Sequence, residues 1–212
     1  MKPRQYRVKG WRGTFSGYPC FVLGNSPCIL KCDLDTLSPF FTIGVNRIYK
    51  LFDPTILLWQ DESLELEFDQ IKAIKFCRDT LDLPSSSGVH KYYHFHLVLY
   101  ELLFNHYKTH VLHGTGNTGS LAVQLAIGMG CKPIILLGMD CKRDEGNDDF
   151  HGKNEFWGDR TLEFCRNAME KLNKECPVDL IVCNNNEDLN NIVQKHKRFE
   201  RGRTFYDKML LG

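Results

Sequence analysis

The sequence predicts an α/β fold: a single Rossmann-like domain built on a mostly parallel sheet, with helices on both faces and a lid-like insertion. Three observations predict it. Short apolar runs of strand length recur, and each closes on a polar or glycine-rich turn. Helix-length segments separate most of them, which gives a β-α-β rhythm with short connections. No internal repeat and no apolar run long enough to span a bilayer interrupts that rhythm.

The first run, 20–24, is a buried strand followed by the tight turn Gly24-Asn25-Ser26-Pro27. Residues 33–40 read as a short helix with Asp33 near its start, 41–46 as a second strand, and 47–52 as one or two helical turns. A third strand covers 55–60 and ends at Asp61. Acidic residues from Asp61 to Asp69 then form a polar helix face, and 71–77 is a fourth strand. Residues 79–108 break the pattern. They hold the loop Pro84-Ser85-Ser86-Ser87-Gly88 and the ring-rich Tyr92-Tyr93-His94-Phe95-His96, and read as an insertion with a lid-like loop and one helix. A strand over 109–113 leads into Gly114-Thr115-Gly116-Asn117-Thr118-Gly119. The helix over 120–129 is apolar on nearly every face, the mark of a buried helix. Gly128 and Gly130 flank its end, where left-handed caps are common. Residues 133–138 form the cleanest central strand, which ends at Met139-Asp140. A charged loop over 142–154, an amphipathic helix over 159–174, a last strand over 178–183 and a polar helix opened by Asn184-Asn185-Asn186 complete the chain.

The 212 residues, 24.6 kDa, suffice for a real core without staples. The 27 basic and 26 acidic residues leave a net charge of +1, which argues against an obligate polyanion binder. The basic clusters near the termini, Lys2 to Arg12 and Lys195 to Arg203, leave weak nucleic-acid contact as a partner expectation. The N-terminus lacks the apolar segment of a signal peptide. Nine cysteines lie partly inside apolar runs and form no CxxC pair, so they read as small buried hydrophobes rather than as zinc ligands. Together these features read as a reduced, cytoplasmic protein.

In an open parallel sheet, ligands sit beyond the carboxyl ends of the strands. Gly24-Asn25-Ser26, Asn46, Asp61, the 114–120 bend and Asp140 all follow strands and would share that rim. The first bend lets a backbone approach a ligand closely, and the second places glycines, amides and hydroxyls at a helix start suited to a diphosphate or a ribose. Each also reads simply as a turn or a helix cap, with Thr118 or Ser120 satisfying the first amides. Asp61 and Asp140 suit Mg²⁺ or a sugar hydroxyl, and equally suit helix N-caps. His151, on the charged loop, suits a general base near neutral pH. The first bend is neither GxGxxG nor a Walker loop, no GxSxG elbow is present, and the other histidines form no HExxH set.

The succession Gly24-Asn25-Ser26-Pro27, Thr42-Ile43-Gly44-Val45-Asn46-Arg47 and a strand ending in Asp61 resembles the N-terminal half of one group. Gly116-Asn117-Thr118-Gly119-Ser120, then Ile134-Ile135-Leu136-Leu137-Gly138-Met139-Asp140, then Phe150-His151-Gly152 resembles its C-terminal half. The group contains the bacterial sialyltransferases of glycosyltransferase family 42 and a widespread domain shared with 6-hydroxymethylpterin diphosphokinases. The resemblance implies a Rossmann-like nucleotide-binding domain. Residues matching Asn25, Ser26 and Asn46 hold a nucleotide, as does the Gly116–Ser120 turn, and His151 maps to a general base. Strand-end aspartates matching Asp61 and Asp140 lie near phosphate and metal in the kinases. The first bend departs from the usual Gly-Asn-Gly-Pro-Ser, and Asp61 stands where the sialyltransferases tend to carry Asn.

The expected function is therefore transfer from an activated nucleotide, foremost a glycosyl transfer from a nucleotide-sugar donor to a hydroxyl-bearing acceptor. His151 and Asp140 are the catalytic expectations. Gly24, Asn25, Ser26, Asn46, Gly116, Asn117, Thr118, Gly119 and Ser120 would bind the nucleotide. No tightly bound cofactor is expected, and Mg²⁺ is the metal that Asp61 and Asp140 would take. A homo-oligomer is a further partner expectation. The alternatives are a Mg²⁺-dependent diphosphokinase acting on a hydroxymethyl heterocycle with ATP, and a non-enzymatic nucleotide or nucleic-acid binding module.

Overall fold

Hydrogen-bonding demands fix the architecture: each buried apolar run must pair its main-chain groups, and parallel neighbours satisfy them. The computed structural model describes residues 6–7, 11–61, 71–78, 92–99, 111–114, 117–152 and 159–200. Among these residues the strands are β1 (Tyr6–Arg7), β2 (Cys20–Leu23), β3 (Thr42–Val45), β4 (Ile56–Trp59), β5 (Ile74–Arg78), β6 (Tyr92–Leu99), β7 (Val111–Gly114), β8 (Ile134–Leu137) and β9 (Leu180–Cys183). The helices are α1 (Thr118–Gly128), α2 (Asp159–Glu175) and α3 (Asn186–His196). The sheet order is β1-β6-β5-β4-β3-β2-β8-β9, with β7 also on β6, and every pair is parallel. The expected Rossmann-like α/β fold is the fold of the chain.

The chain winds outward from β2 through β3, β4 and β5, then returns to place β8 and β9 on the other side of β2. The direction of winding therefore reverses between β2 and β8. Leu23 of β2 lies opposite both Leu137 of β8 and Gly44 of β3, so these strands end level with one another.

Strand side chains alternate between two cores, as the period of two requires. Cys20, Val22, Ile43, Val45, Ile56, Leu58, Ile134 and Leu136 face α1 and the N-terminal residues Trp11 and Phe15. Phe21, Leu23, Leu57, Trp59, Ile135 and Leu137 face α3 and the short turns that follow β2 and β3. Helical segments thus cover both faces. Every residue of α1 except Gln124 is buried. Gln124 carries its polar group inward by pairing with the main chain of His113, accepting from its N–H at 2.9 Å and donating to its carbonyl at 2.6 Å.

Several elements differ from expectation. The helix expected over 33–40 is instead a short 3₁₀ turn, Leu34–Leu37, preceded by another over Pro27–Lys31, because the connection is too short for an α-helix. Within 79–108, expected as a lid-like insertion, Tyr92–Leu99 is β6 and pairs with β5, so that stretch belongs to the sheet. Its aromatic and β-branched residues are ordinary strand formers, and the rest of 79–108 lies outside the described residues. The polar helix expected after Asp61 also lies outside them. Among the described residues no helix is long and apolar enough to cross a membrane.

Candidate functional site

The residue after each strand end is the first free to leave the sheet, and four such positions meet at one cavity of about 230 Å³. Gly24 follows β2, Asn46 follows β3, Gln60 and Asp61 follow β4, and Gly138 follows β8. Asn117, Thr118 and Gly119 close it from the start of α1. The cavity therefore lies outside the carboxyl ends of the strands at the reversal between β2 and β8, where open α/β sheets hold ligands.

The two glycine bends meet on Met139. A Cβ on Gly24 would lie 2.2 Å from the Gly138 carbonyl oxygen and 2.9 Å from Met139 Sδ; one on Gly119 would lie 2.5 Å from Met139 Cε. Gln60 Nε2 donates to Thr118 Oγ1 at 3.0 Å and ties β4 to α1. Asn46 and Cys141 hold left-handed backbone at φ 50° and 52°. Asn enters that region readily, but Cys rarely does. Cys141 is fixed there in part by its N–H, which donates to Ser26 Oγ at 3.1 Å.

The charged loop closes over the first bend. Phe150 N–H donates to the Asn25 carbonyl at 2.9 Å, and Lys31 pairs with Asp144 at 2.7 Å. Asp148 and Asp149 thereby line the cavity. Asp148 is 2% exposed, and its Oδ1 accepts from Arg143 Nε. Arg143 also donates to the exposed Asp159 at the start of α2. Thr161, Phe164 and Cys165 of α2 complete the wall, and the Cys141 thiol donates to the Met139 carbonyl at 3.6 Å.

Of the predicted site residues, Gly24, Asn25, Ser26, Asn46, Asp61, Asn117, Thr118 and Gly119 line this cavity. Gly116 lies outside the described residues. Ser120 is fully buried, and both its N–H and its hydroxyl donate to the Asn117 carbonyl. Helix α1 begins two residues earlier than expected, so the cap is Asn117, whose Oδ1 accepts from Gly119 N–H at 2.8 Å, and not Thr118 or Ser120. Asp140 is not on the cavity wall; its Oδ1 accepts from the Cys28 thiol at 3.4 Å. The structure therefore does not bring Asp140 and Asp61 together at the cavity. Among the described residues no group of three or more His, Cys, Asp or Glu side chains is placed to hold a metal ion. His151 is exposed with its ring against Phe150, 3.9 Å between centroids, and its N–H donates to Asp149 Oδ1 at 3.1 Å. It is Asp149, two residues earlier, that reaches the wall.

The sequence reading missed Gln60, Cys141, Asp148, Asp149 and the α2 residues. Asp148 and Asp149 stand directly before Phe150-His151 and looked like part of a solvated charged loop. The α2 residues carry no local signal, since only packing brings that helix to the cavity.

Three carboxylates, Asp61, Asp148 and Asp149, stand on the wall, and the described lining residues include no Lys, Arg or His. Burial raises the Asp149 carboxyl above its ordinary 3.8, opposed by the His151 N–H and by His151 and Arg47 charge. Asp61 is exposed at the mouth, yet surrounding protein displaces enough water to raise its carboxyl, with Arg78 pulling the other way. Asn25 Oδ1, Asn46 Oδ1 and Asp148 Oδ2 are buried acceptors with no hydrogen-bond donor among the described residues. Buried acceptors are rarely left so, and here all three belong to residues of one cavity.

A raised Asp149 pKa means that the folded state holds that proton more tightly than the unfolded one. Stability then falls as pH rises from 3.8 through the folded pKa, and is level above it. Asp149→Asn abolishes that loss, so its stability relative to wild type grows across the window and is constant toward neutral pH, as urea melts from pH 3.5 to 7 will record. Cys28 is raised from 9.0 to about 12, chiefly by burial and then by Asp140. Iodoacetamide at pH 8 should label it roughly a thousandfold more slowly than an ordinary thiol, read by peptide mass spectrometry.

Compared with protein-family models, curated proteins and solved structures, the chain matches none of them.

Proposed function

We propose that the chain is a transferase that uses an activated nucleotide, foremost a glycosyltransferase moving a sugar from a nucleotide donor to a hydroxyl acceptor. One observation carries the reading: two glycine bends about a hundred residues apart in sequence line one cavity at the reversal point of a parallel sheet. The ordered motif succession noted above adds to it. In this reading the nucleoside lies between Gly24–Ser26 and the start of α1, with Asn25 and Asn46 accepting from it. His151 takes the acceptor proton from the edge of the loop whose inner side carries Asp149.

The test has two parts. A thermal-shift panel of CMP, UDP, GDP and ATP, with and without Mg²⁺, should show pyrimidine-nucleotide binding that needs no metal. His151→Ala should then lower turnover far more than nucleotide affinity; equal loss of both counts against the base role.

The acidic wall favours a second reading, Mg²⁺-dependent diphosphoryl transfer from ATP to a hydroxymethyl heterocycle. Mg²⁺ is commonly held by one or two carboxylates plus substrate phosphates, so Asp61 would act only once ATP is bound. ATP stabilisation that requires Mg²⁺ selects this reading over the first.

A further inference from the structure

Asp148 is an unusual wall residue. Its side chain is fully buried and its charge is matched at Oδ1 by Arg143, but Oδ2 has no donor among the described residues. What remains unmet at Oδ2 is a hydrogen bond, because the guanidinium already meets the charge. Asp149 follows it on the same wall, with Oδ1 accepting from the His151 main chain. Asn25 and Asn46 add two more buried acceptors without donors among the described residues. The described lining includes no Lys, Arg or His to meet a phosphate, and Asp149 is offset only in part by Arg47 and His151, so a phosphate placed against it would be repelled. A neutral group rich in O–H donors meets all these conditions at once.

We propose that this acidic wall recognises a pair of neighbouring hydroxyls, the cis-diol of a ribose or hexose ring. Asp148 Oδ2 and the Asp149 carboxylate are the accepting atoms, and any phosphate of the ligand is held away from both. The inference rests on the nucleotide reading only for the source of the diol. Carboxylates read ribose hydroxyls from strand-end positions in dinucleotide-binding folds; here the carboxylates come from a loop bolted to the first bend. Asp148 is already desolvated by the fold, so a hydroxyl that reaches Oδ2 adds a hydrogen bond without that cost.

The experiment is calorimetric titration in EDTA with cytidine, uridine, adenosine and guanosine, their 2′,3′-dideoxy counterparts, and methyl riboside and methyl hexosides. The best ribonucleoside should bind about tenfold or more tightly than its dideoxy form, the worth of one hydrogen bond to a charged group. Asp148→Asn, which keeps an oxygen for Arg143, should bring the ribonucleoside and dideoxy affinities together. Asp149→Asn is the second variant, should the first fail to fold. Equal binding of a ribonucleoside and its dideoxy form, or a ratio that survives both substitutions, overturns the diol inference and leaves the nucleotide reading standing. Binding of a methyl glycoside that depends on Asp148, with no nucleoside bound, supports the inference and overturns the nucleotide reading. Failure of every probe overturns both.

Discussion

Replacing Gly24 by alanine should destabilise the protein by about 3 kcal/mol, at the upper end of the usual cost of overpacking. The new Cβ would lie 2.2 Å from the Gly138 carbonyl oxygen and 2.9 Å from its carbon. Both are main-chain atoms of the loop entry after β8 and cannot swing aside, so β2 and β8 must part at their carboxyl ends. For a chain of this size the melting temperature should drop by roughly 6–12 °C in a thermal melt. Gly119→Ala is the matched control. Its Cβ would meet side-chain atoms alone, Met139 Cε at 2.5 Å and Sδ at 2.7 Å and the capping Asn117 Oδ1 at 3.1 Å, and alanine is the better helix former. The Gly119 variant should therefore melt near wild type, with the Met139 side chain displaced and ligand affinity reduced. Equal loss of melting temperature in the two variants would mean that Gly24 is not in close contact with the Gly138 main chain.

Removing the Arg143 side chain should also destabilise the protein. Asp148 is buried with its charge facing Arg143, and stripping one partner from a buried pair leaves an uncompensated charge. Arg143→Ala should lower stability clearly, although solvent screening of the guanidinium moderates the loss. The second pair, Arg143 with Asp159, adds little, since the Asp159 side chain is 88% exposed. Adding Asp148→Asn to Arg143→Ala should recover most of the loss, because the double variant no longer buries a charge. Urea denaturation of the four proteins at pH 7 gives the coupling directly. Strict additivity would show that Arg143 does not support Asp148.

Much of the frame is legible in the residues. The run Pro133 to Leu137 is too apolar for anything but a central strand, and its neighbours in the sheet share that quality. The two bends can be found because glycine and hydroxyl residues punctuate apolar runs. β6 escapes notice because Tyr92, Tyr93, His94 and His96 look like surface residues, although aromatic rings suit strands well. The wall is half legible for a different reason. Asn25, Asn46 and Asp61 sit one or two places past strand ends, where local pattern points. Asp148 and Cys165 reach the cavity only through tertiary contacts, Asp148 through the docking of its loop on Asn25 and Lys31 and Cys165 through the packing of α2. Asp140, the most conspicuous strand-end acid, goes to Cys28 instead, because Gly138 at φ 63° turns the chain and brings Cys141 to the wall. No pattern of residue types announces that rotation.

The docking of the acidic loop on the first bend has a practical consequence for redesign. Residues 25–26 supply the carbonyl and the hydroxyl that anchor Phe150 and Cys141, so the two segments form one exchangeable cassette. Transplanting 141–152 from another protein to change what the crevice accepts will need 24–26 carried along with it. A graft of the loop alone would arrive without its moorings.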